Sequence, residues 1–276
     1  MIMRRTLALA LAATSAVCNA QLDAETFTKP PKEIADLVLA PRHLQVALSN
    51  LSPDRKMALV SIGAGMPSIS QLSRSYLNLA GVQIDPIAFR SRSQNIRGTA
   101  AYEIWDIEKG TKTRIEVKGA TLGSPAWAPD SKHVAFIAHF DNESKLYVCE
   151  PSGRTRAVGR DRVATTTSSS LDWLEGGKRI AFLIVPRNAG KAPMKPDVPD
   201  QPWVRVSDPR KNSLRTYASL LETSHDKALL EYFTTTQLAT TDLSGNTTLI
   251  GQPAMIRSFS AAPNGDAFRV TTTLKP

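Results

Sequence analysis

The sequence predicts an all-β protein, and two short patterns that recur along the chain support this prediction. In the first pattern, a turn containing Pro-Asp, Gly-Gly or Asn-Gly precedes an apolar run. Its four copies begin at Leu51, Trp127, Trp173 and Ala261. In the second pattern, a strand-like segment reaches an acidic residue and then a turn at Gly110, Gly153 or Gly245. Proline, aspartate and glycine favour tight turns, and short apolar runs between turns are typical of buried strands.

The spacing of the turn glycines gives the length of the repeat. Gly110 and Gly153 lie 43 residues apart, and Gly153 and Gly245 lie 92 residues apart, which is about two repeats. Four short strands per repeat of this length are typical of a β-propeller blade. The sequence therefore predicts a partial or open β-propeller of WD40-like four-stranded blades over residues 21–276, with one copy obscured.

A proline-rich stretch lies where the obscured copy is expected. Residues 186–212 contain six prolines, a composition typical of a loop. Tyr217, Leu220 and Leu221 then follow helical spacing, and a second short helical turn is predicted from His225 to Tyr232. We therefore expect an insertion over residues 186–232, a Pro-rich loop followed by a short helical segment, in the place of the missing blade.

The first twenty residues have the features of a signal peptide. Arg4 and Arg5 precede an apolar stretch, and small or neutral residues lie just before Gln21. We therefore predict that residues 1–20 are a signal peptide and that the protein is exported to a periplasm or to the cell exterior. Cleavage would remove Cys18, so Cys149 would be left without a disulfide partner.

The composition excludes several classes of protein. With 42% hydrophobic and 21% charged residues, the 276-residue chain is not expected to be disordered. No apolar run approaches the roughly 20 residues that a membrane-spanning helix needs. The formal net charge is +9, but the basic residues are scattered. We therefore expect a solvated basic surface rather than a nucleic-acid partner.

The histidines do not form a metal-binding pattern. His43, His133, His139 and His225 lack the i, i+4 spacing of a zinc-binding helix, and no cysteine pair accompanies them. We therefore predict no metal site. A serine–histidine–aspartate site remains open, because such triads are recognised by geometry rather than by sequence position.

Other conspicuous residues recur at equivalent positions of the repeats, which indicates a structural role. Asp54, Asp106, Asp130 and Asp242 lie at turns, where a carboxylate commonly accepts hydrogen bonds from the local backbone. Trp127 and Trp173 occupy the same position in two repeats. We expect both indoles to pack between neighbouring blades rather than to bind a ligand.

Several stretches carry a resemblance to a known family. They are PPKEI at 30–34 with AP at 40–41, LAGVQI at 79–84, RTYASLL at 215–221 and LEYFTTTQL at 230–238. With the Pro-rich insertion and its helical segment, they resemble the N-terminal propeller region of glutamyl-endopeptidase-type serine peptidases of the prolyl oligopeptidase family. The resemblance covers nearly all of the chain after residue 20.

The resemblance implies a propeller that caps an α/β-hydrolase domain with a Ser-Asp-His triad, which peptides reach through or beside the propeller. This sequence departs from that plan. It has no Gly-x-Ser-x-Gly nucleophile elbow, the Gly63-Ala64-Gly65 stretch has no serine, and the chain stops at Pro276 within an expected blade. The sequence therefore assigns no catalytic, cofactor-binding or metal-ligating residue, and no cofactor.

The expected function is that of a non-catalytic propeller portion of an exported peptidase. It would gate substrate and contact a hydrolase domain absent from this chain. The alternative is a free-standing exported propeller that binds protein or peptide partners, and a third possibility is a truncated product without independent function. Because an open ring leaves unpaired strand edges, the isolated chain is predicted to be poorly soluble or oligomeric.

Overall fold

The computed structural model describes residues 30–39, 50–198, 220–262 and 265–276. The chain divides into two compact units, Met1–Ala40 and Pro41–Pro276. The described part of the first unit is one helix, α1 (Lys32–Leu39). Glu33 lies in its first turn, where a negative charge favours the helix dipole, and Lys32 Nζ lies 2.9 Å from Asp36 Oδ2. The predicted signal peptide, residues 1–20, lies outside the described residues.

The second unit consists mainly of short antiparallel strands. In chain order its elements are β1 (Met57–Gly63), α2 (Ile69–Leu72), β2 (Leu77–Leu79), β3 (Val82–Asp85), β4 (Arg90–Ser91), α3 (Ser93–Ile96), β5 (Thr99–Asp106), β6 (Lys112–Ile115), β7 (Thr121–Trp127), β8 (Val134–His139), β9 (Ser144–Cys149), β10 (Thr155–Ala157), β11 (Asp172–Leu174), β12 (Arg179–Ile184), α4 (Ser224–Thr234), β13 (Thr236–Asp242), β14 (Thr247–Ala261) and β15 (Phe268–Thr273). None of the helices in the described residues has the length and apolar character needed to span a membrane.

The strands pair as three blades and the first half of a fourth. The first blade contains β1, β5 and β6, and Leu51, which bridges to Ala58 of β1, takes the place of its first strand, so that β1 is its second strand. The second blade contains β7 to β10. The third contains β11, β12, β13 and the first half of β14. From Met255 onward β14 pairs with β15 instead, so one strand closes the third blade and opens the fourth. The predicted fold class, an all-β partial propeller with four-stranded blades, is confirmed.

The turn before the second strand of each blade ends, in all four copies, on a residue with a positive φ. These equivalent residues, at the fourth position of the turn, are Arg55 at 61°, Ser131 at 60°, Gly177 at 102° and Gly265 at 78°. In each turn the amide of this residue donates to a carbonyl three residues earlier, at 2.8 to 3.0 Å. In the third blade Glu175 and Gly176 also have positive φ, 51° and 67°, so the type of turn differs there. The Pro-Asp, Gly-Gly and Asn-Gly pairs that mark the repeat in the sequence supply these turns.

The Pro-rich insertion does not replace a blade. Strands β12 and β13 pair directly, from Arg179 opposite Asp242 to Ile184 opposite Gln237. The insertion therefore interrupts the third blade between its second and third strands. The prediction of an obscured blade was wrong, because the 92 residues between Gly153 and Gly245 span one expanded blade. Of the predicted helical segments, the one near His225 is confirmed by α4, and the one at Tyr217 lies outside the described residues.

The first blade contains a second insertion, residues 64–98, at the same point of its strand order. It carries the short helices α2 and α3 and a three-stranded antiparallel sheet of β2, β3 and β4. The β2–β3 hairpin turns at Ala80 and Gly81, whose φ angles of 50° and 79° suit a two-residue hairpin loop. We refer to residues 64–98 as the first insertion and to residues 185–235 as the second insertion.

Strand β8 lies at the centre of the core and is buried on both faces, as its continuous apolar run predicts. Phe136 and Ala138 belong to the cluster shared with the first blade, which includes Tyr102. Ala135 and Ile137 belong to the cluster shared with the third blade. Because alternate residues of a strand point to opposite faces, β8 joins the blades on either side of it.

Candidate functional site

The turn aspartates have the structural role that their repeat positions predict. Each carboxylate accepts a hydrogen bond from a nearby backbone amide: Asp54 from Lys56 at 3.1 Å, Asp106 from Lys109 at 2.9 Å, Asp130 from Lys132 at 2.9 Å and Asp242 from Asn246 at 2.9 Å. The pKa of Asp54 lies below its usual value, first because the Ser52 hydroxyl donates to the carboxylate and then because of the Lys56 amide. These side chains therefore stabilise the turns in which they lie.

Trp127 and Trp173 pack between neighbouring blades, as predicted. Trp127 Nε1 donates to the carbonyl oxygen of Asn50 at 3.3 Å, and Trp173 Nε1 donates to that of Ala126 at 2.9 Å. Leu51, Trp127 and Trp173 are equivalent positions of three successive blades. Each indole therefore donates to the residue just before the equivalent position of the preceding blade. Both indoles also pack against buried clusters of the core. Their role is therefore to join blades.

The two insertions meet and form one surface. Phe89 of the first insertion packs against Phe233 and Tyr232 of α4, with ring centroids 5.2 Å and 5.6 Å apart. Leu79 and Ile84 belong to the same buried cluster. Because the insertions leave the first and third blades and still touch each other, they span the second blade between them. This joined surface is the candidate functional site.

Arg162 ties the first insertion to the second blade. Its Nη2 donates to the carbonyl oxygen of Ile87 at 2.7 Å and to that of Asn142 at 3.2 Å. Its guanidinium also lies 5.2 Å from the centroid of the Phe89 ring. The loop between β8 and β9, which contains Asn142, is therefore part of the candidate site.

A buried carboxylate, Asp85, organises the polar part of the site. Its side chain is 1% exposed. Oδ1 accepts from the amides of Ile87 and Ala88 at 3.0 and 3.3 Å. Oδ2 accepts from Asn95 Nδ2 at 2.9 Å and from Arg74 Nη2 at 3.1 Å. A carboxylate buried this deeply requires such partners, because an unpaired charge away from water is strongly unfavourable.

Two arginines surround this carboxylate. Arg90 is 4% exposed, its Nε lies 3.6 Å from Asp85 Oδ2, and its Nη1 donates to the carbonyl oxygen of Phe140 at 2.6 Å. Burial lowers the pKa of Arg90, and the nearby charge of Asp85 opposes this effect. Arg74 donates to the carbonyl oxygen of Asp141 and approaches the Asp141 carboxylate at 3.6 Å. The arginines thus link the first insertion to the β8–β9 loop.

A cavity of about 220 Å³ lies beside these groups. Arg74, Arg90, Asn95 and His139 are among its lining residues. Each of these four side chains has one buried nitrogen or oxygen without a hydrogen-bond partner: Arg74 Nε, Arg90 Nε, Asn95 Oδ1 and His139 Nε2. The cavity is therefore a partly open space beside several polar atoms that lack a hydrogen-bond partner.

His139 makes a hydrogen bond to a serine, but this pair does not have the properties of a catalytic dyad. His139 Nδ1 lies 2.8 Å from Ser144 Oγ, since the two residues face each other across β8 and β9. Ser144 has no exposed surface. Burial, with a smaller contribution from Arg90, lowers the pKa of His139 to about 3. An imidazole with such a pKa is a poor base near neutral pH.

The other histidines are separate from this pair. His133 lies near the Trp173 ring, with centroids 6.4 Å apart, and His225 lies in the first turn of α4. His43 lies outside the described residues. Within the described ranges, no three His, Cys, Asp or Glu side chains are grouped to hold a metal ion. Cys149 is buried, and burial raises the pKa of its thiol to about 12, so it remains protonated.

A larger cavity, about 360 Å³, lies between the insertions and the fourth blade. Its lining is mostly uncharged and includes Val82, Leu230, Thr234 and Met255, with Arg257 as its charged member. Thr166 contributes a buried hydroxyl without a hydrogen-bond partner. This space offers apolar contacts and hydroxyl groups but no arranged set of titratable side chains.

Sequence reasoning did not identify the Asp85 cluster. Its members come from the first insertion and from the β8–β9 loop, and no repeat or motif marks them. One local signal was present, since Asp85-Pro86 is a pair that favours a turn in which aspartate caps its own backbone. That signal predicts the hydrogen bonds to Ile87 and Ala88 but not the arginines.

Sequence comparison finds relatives over most of the chain. It is 26% identical over 266 residues to the probable chloroplastic glutamyl endopeptidase of Oryza sativa subsp. japonica, and 28% identical over 265 residues to that of Arabidopsis thaliana. Each alignment covers 91% of this chain. The chain spans only 28% and 27% of the length of these two relatives. No family model matches the chain.

Comparison with solved structures finds similar arrangements in peptidases. The acylaminoacyl peptidase of Pyrococcus horikoshii aligns with 80% of this chain and 27% of its own, at 14% identity and a TM-score of 0.42. The propeller fold of this chain follows from the strand pairing described above. The resemblance to glutamyl endopeptidases that the sequence motifs indicate is confirmed over 91% of this chain, which corresponds to about a quarter of the length of those relatives.

Proposed function

We propose that the chain is the propeller portion of an exported serine peptidase of the prolyl oligopeptidase family. In this proposal it is non-catalytic by itself, gates access of substrate, and contacts a hydrolase domain. The observation that carries the proposal is the similarity to glutamyl endopeptidases over 91% of this chain but only 27–28% of theirs. The blades and their insertions are consistent with a portion that does not supply the reacting groups.

The joined insertions offer a surface for the proposed contact. Ile69 of the first insertion is 85% exposed, and Met66, Tyr76 and Ile87 are also exposed. Apolar side chains grouped on one segment commonly mark a surface that another domain covers. The Asp85 cluster and the aromatic contacts with α4 anchor the first insertion to the β8–β9 loop and to the second insertion.

A peptidase assay tests the non-catalytic role. The chain from Gln21 to Pro276 is purified to homogeneity and incubated with Glu-containing peptides. We expect no turnover, because the one serine–histidine hydrogen bond discussed above involves a fully buried serine and an imidazole of low pKa. Turnover that persists through purification and is abolished by a serine-directed inhibitor would overturn the proposal.

Reconstitution tests gating and domain contact. The hydrolase domain of a full-length glutamyl endopeptidase relative is assayed alone and together with this chain. We expect co-elution of the two, with cleavage of short peptides retained and cleavage of a folded protein substrate reduced. A variant with Ile69→Asp and Met66→Asp should weaken co-elution. Unchanged cleavage of the folded substrate, without co-elution, would contradict the proposal.

The alternative is a free-standing exported propeller that binds protein or peptide partners. The two proposals differ in the behaviour of the isolated chain. A propeller portion with exposed strand edges is expected to be poorly soluble or oligomeric, whereas a free-standing binder is expected to be a monodisperse monomer with one cooperative melting transition. Analytical ultracentrifugation with thermal melting distinguishes them.

Export is part of the proposal and has its own test. Expression of the whole chain in a bacterium, followed by cell fractionation and mass spectrometry, should place the product outside the cytoplasm with Gln21 as its first residue. Arg4→Glu together with Arg5→Glu should retain the precursor in the cytoplasm, because the basic residues of a signal peptide are needed for its recognition. An uncleaved cytoplasmic product from the unaltered chain would contradict export.

A further inference from the structure

The larger cavity, of about 360 Å³, combines apolar side chains with hydroxyl groups. Its apolar lining comes from β3, α4 and β14 and includes Val82, Leu230 and Met255. Four threonines also line it, namely Thr166, Thr167, Thr234 and Thr273. Pockets for small molecules measure roughly 300–1,000 Å³, so this cavity suits a small ligand that has both apolar surface and polar groups.

Two of the threonine hydroxyl groups have already used their protons. The Thr167 hydroxyl donates to the carbonyl oxygen of Ile256 at 2.8 Å, and the Thr234 hydroxyl donates to that of Leu230 at 2.7 Å. A hydroxyl has one proton, so these two oxygens can only accept a hydrogen bond from a ligand. A ligand that pairs with them must therefore supply donors, which a group with acceptors only, such as a carboxylate, does not.

The hydroxyl of Thr166 is uncommitted. Thr166 is 4% exposed and lines the cavity, yet its Oγ1 has no hydrogen-bond partner among the described residues. A buried polar group without a partner is unfavourable, and a ligand in the cavity would remove this deficit. Because its proton is free, this hydroxyl is able either to donate or to accept.

The charge of the lining favours a neutral ligand. Arg257 is the charged side chain among the lining residues that the structure describes, and it is exposed to solvent. Its guanidinium donates hydrogen bonds and disfavours a cation, while water screens its charge so that no anion is required to balance it. The cavity thus calls for an uncharged molecule that both donates and accepts hydrogen bonds and also has apolar surface.

We propose that this cavity binds a neutral hexose monosaccharide. A pyranose ring has C–H groups that pack against Val82 and Leu230. Its hydroxyl groups donate to the oxygens of Thr167 and Thr234, and they accept from Arg257. A further ring hydroxyl pairs with Thr166, in either direction. This inference does not depend on the presence of a hydrolase domain or on peptidase activity.

NMR titration of the purified protein tests the proposal with three hexoses and two comparison molecules. The hexoses are D-glucose, D-galactose and D-mannose. Cyclohexanol has a ring of similar size with one hydroxyl, and N-acetylalanine methylamide presents peptide groups. We expect saturable binding of at least one hexose, with both comparison molecules binding about tenfold more weakly or worse, because they offer fewer hydrogen bonds to the threonine and arginine groups.

A pair of matched variants tests whether the cavity hydroxyl is used. Thr166→Val removes this hydroxyl at nearly constant shape and should weaken hexose binding by about fivefold or more. Thr165→Val is the control, because Thr165 is also buried and its hydroxyl also lacks a partner, but it is not among the lining residues. Each substitution removes an unpaired buried hydroxyl, so both variants should fold, as circular dichroism confirms.

Several outcomes would overturn the proposal. The first is the absence of saturable binding of all three hexoses. The second is binding of cyclohexanol as tight as that of the best hexose, which would show that only the apolar lining is used. Tighter binding of N-acetylalanine methylamide would show that the cavity receives peptide groups instead. An equal effect of Thr166→Val and Thr165→Val on hexose affinity would show that the hydroxyl at the cavity does not contact the sugar.

Discussion

The indole nitrogen of Trp173 donates a hydrogen bond of 2.9 Å to the carbonyl oxygen of Ala126, in the first strand of the preceding blade. Trp127 makes the equivalent bond to Asn50. In the fourth blade the equivalent position is Ala261, which has no indole, and its amide donates instead to the side chain of Asp172 at 2.9 Å. Successive blades are therefore joined by a hydrogen bond at the same repeat position, with an indole donor in the second and third blades and a backbone amide donor in the fourth.

Replacing Trp173 with phenylalanine should lower the free energy of unfolding by about 1 kcal/mol. The ring contacts are largely kept, while the Ala126 carbonyl loses its donor. Trp127→Phe is the matched variant, and its effect should be smaller because its hydrogen bond is longer, 3.3 Å. Urea unfolding followed by circular dichroism measures both. A larger loss of unfolding free energy in Trp127→Phe than in Trp173→Phe would show that the length of the indole hydrogen bond does not determine its contribution to stability.

Asp85→Asn should destabilise the fold by about 3–5 kcal/mol, because it leaves Arg90 as a buried charge without its counterion. The control is Asp141→Asn, which removes a carboxylate from the same arginine cluster. Since the Asp141 side chain is 92% exposed, its loss should cost no more than about 1 kcal/mol. Similar unfolding midpoints in urea for the two variants would show that the burial of Asp85 does not make its charge more important for stability than that of Asp141.

Gly98→Ala should destabilise the fold by about 1–3 kcal/mol, the usual range for forcing atoms into a packed site. A Cβ at position 98 would lie 2.5 Å from the Cβ of Thr121, where β5 and β7 come together. Thr121→Gly removes that neighbour. The double variant should therefore be more stable than the sum of the two single effects predicts, as a thermodynamic cycle measures. If the effects of the two single variants on the free energy of unfolding simply add in the double variant, the predicted clash between a Cβ at position 98 and the Thr121 side chain does not occur.

The stability of the protein should fall as the pH falls from about 6.5 toward 3. Burial lowers the pKa of His139 to about 3, whereas the unfolded chain binds this proton near pH 6.5. In that window the unfolded state holds more protons, so acid favours unfolding, by up to about 1.4 kcal/mol per pH unit for this group. His139→Gln should reduce the slope of unfolding free energy against pH between 6.5 and 5. If the slope of unfolding free energy against pH is the same in His139→Gln as in the unaltered protein, the pKa of His139 is not lowered in the folded state.

Local features of the sequence were enough to predict the blades. The turns at Arg55 and Ser131 follow from Pro-Asp pairs, and the burial of β8 follows from its unbroken apolar run. The role of the two tryptophans also followed, because their repeat position is itself a local pattern. The prediction of an obscured blade failed for a physical reason. A distance of 92 residues equals two repeats or one repeat with a long insertion, and strand pairing alone decides between them.

The polar cluster of the candidate site was beyond prediction from the sequence. Arg74 and Asp85 lie 11 residues apart, while Arg90 reaches Phe140 across 50 residues. Such contacts depend on the fold that brings the first insertion onto the β8–β9 loop. The first insertion itself has no distinctive composition, so no pattern separated it from the strands of the first blade.

The 15-residue strand β14 has a consequence for how the molecule unfolds. Its first half pairs with β13 and its second half with β15. Separation of β14 from either partner strand therefore also disturbs its pairing with the other. Fluctuations that open the fourth blade are therefore transmitted along an unbroken backbone to the third. Native-state hydrogen exchange should show amides on both sides of Ala254 and Met255 exchanging as a single cooperative unit.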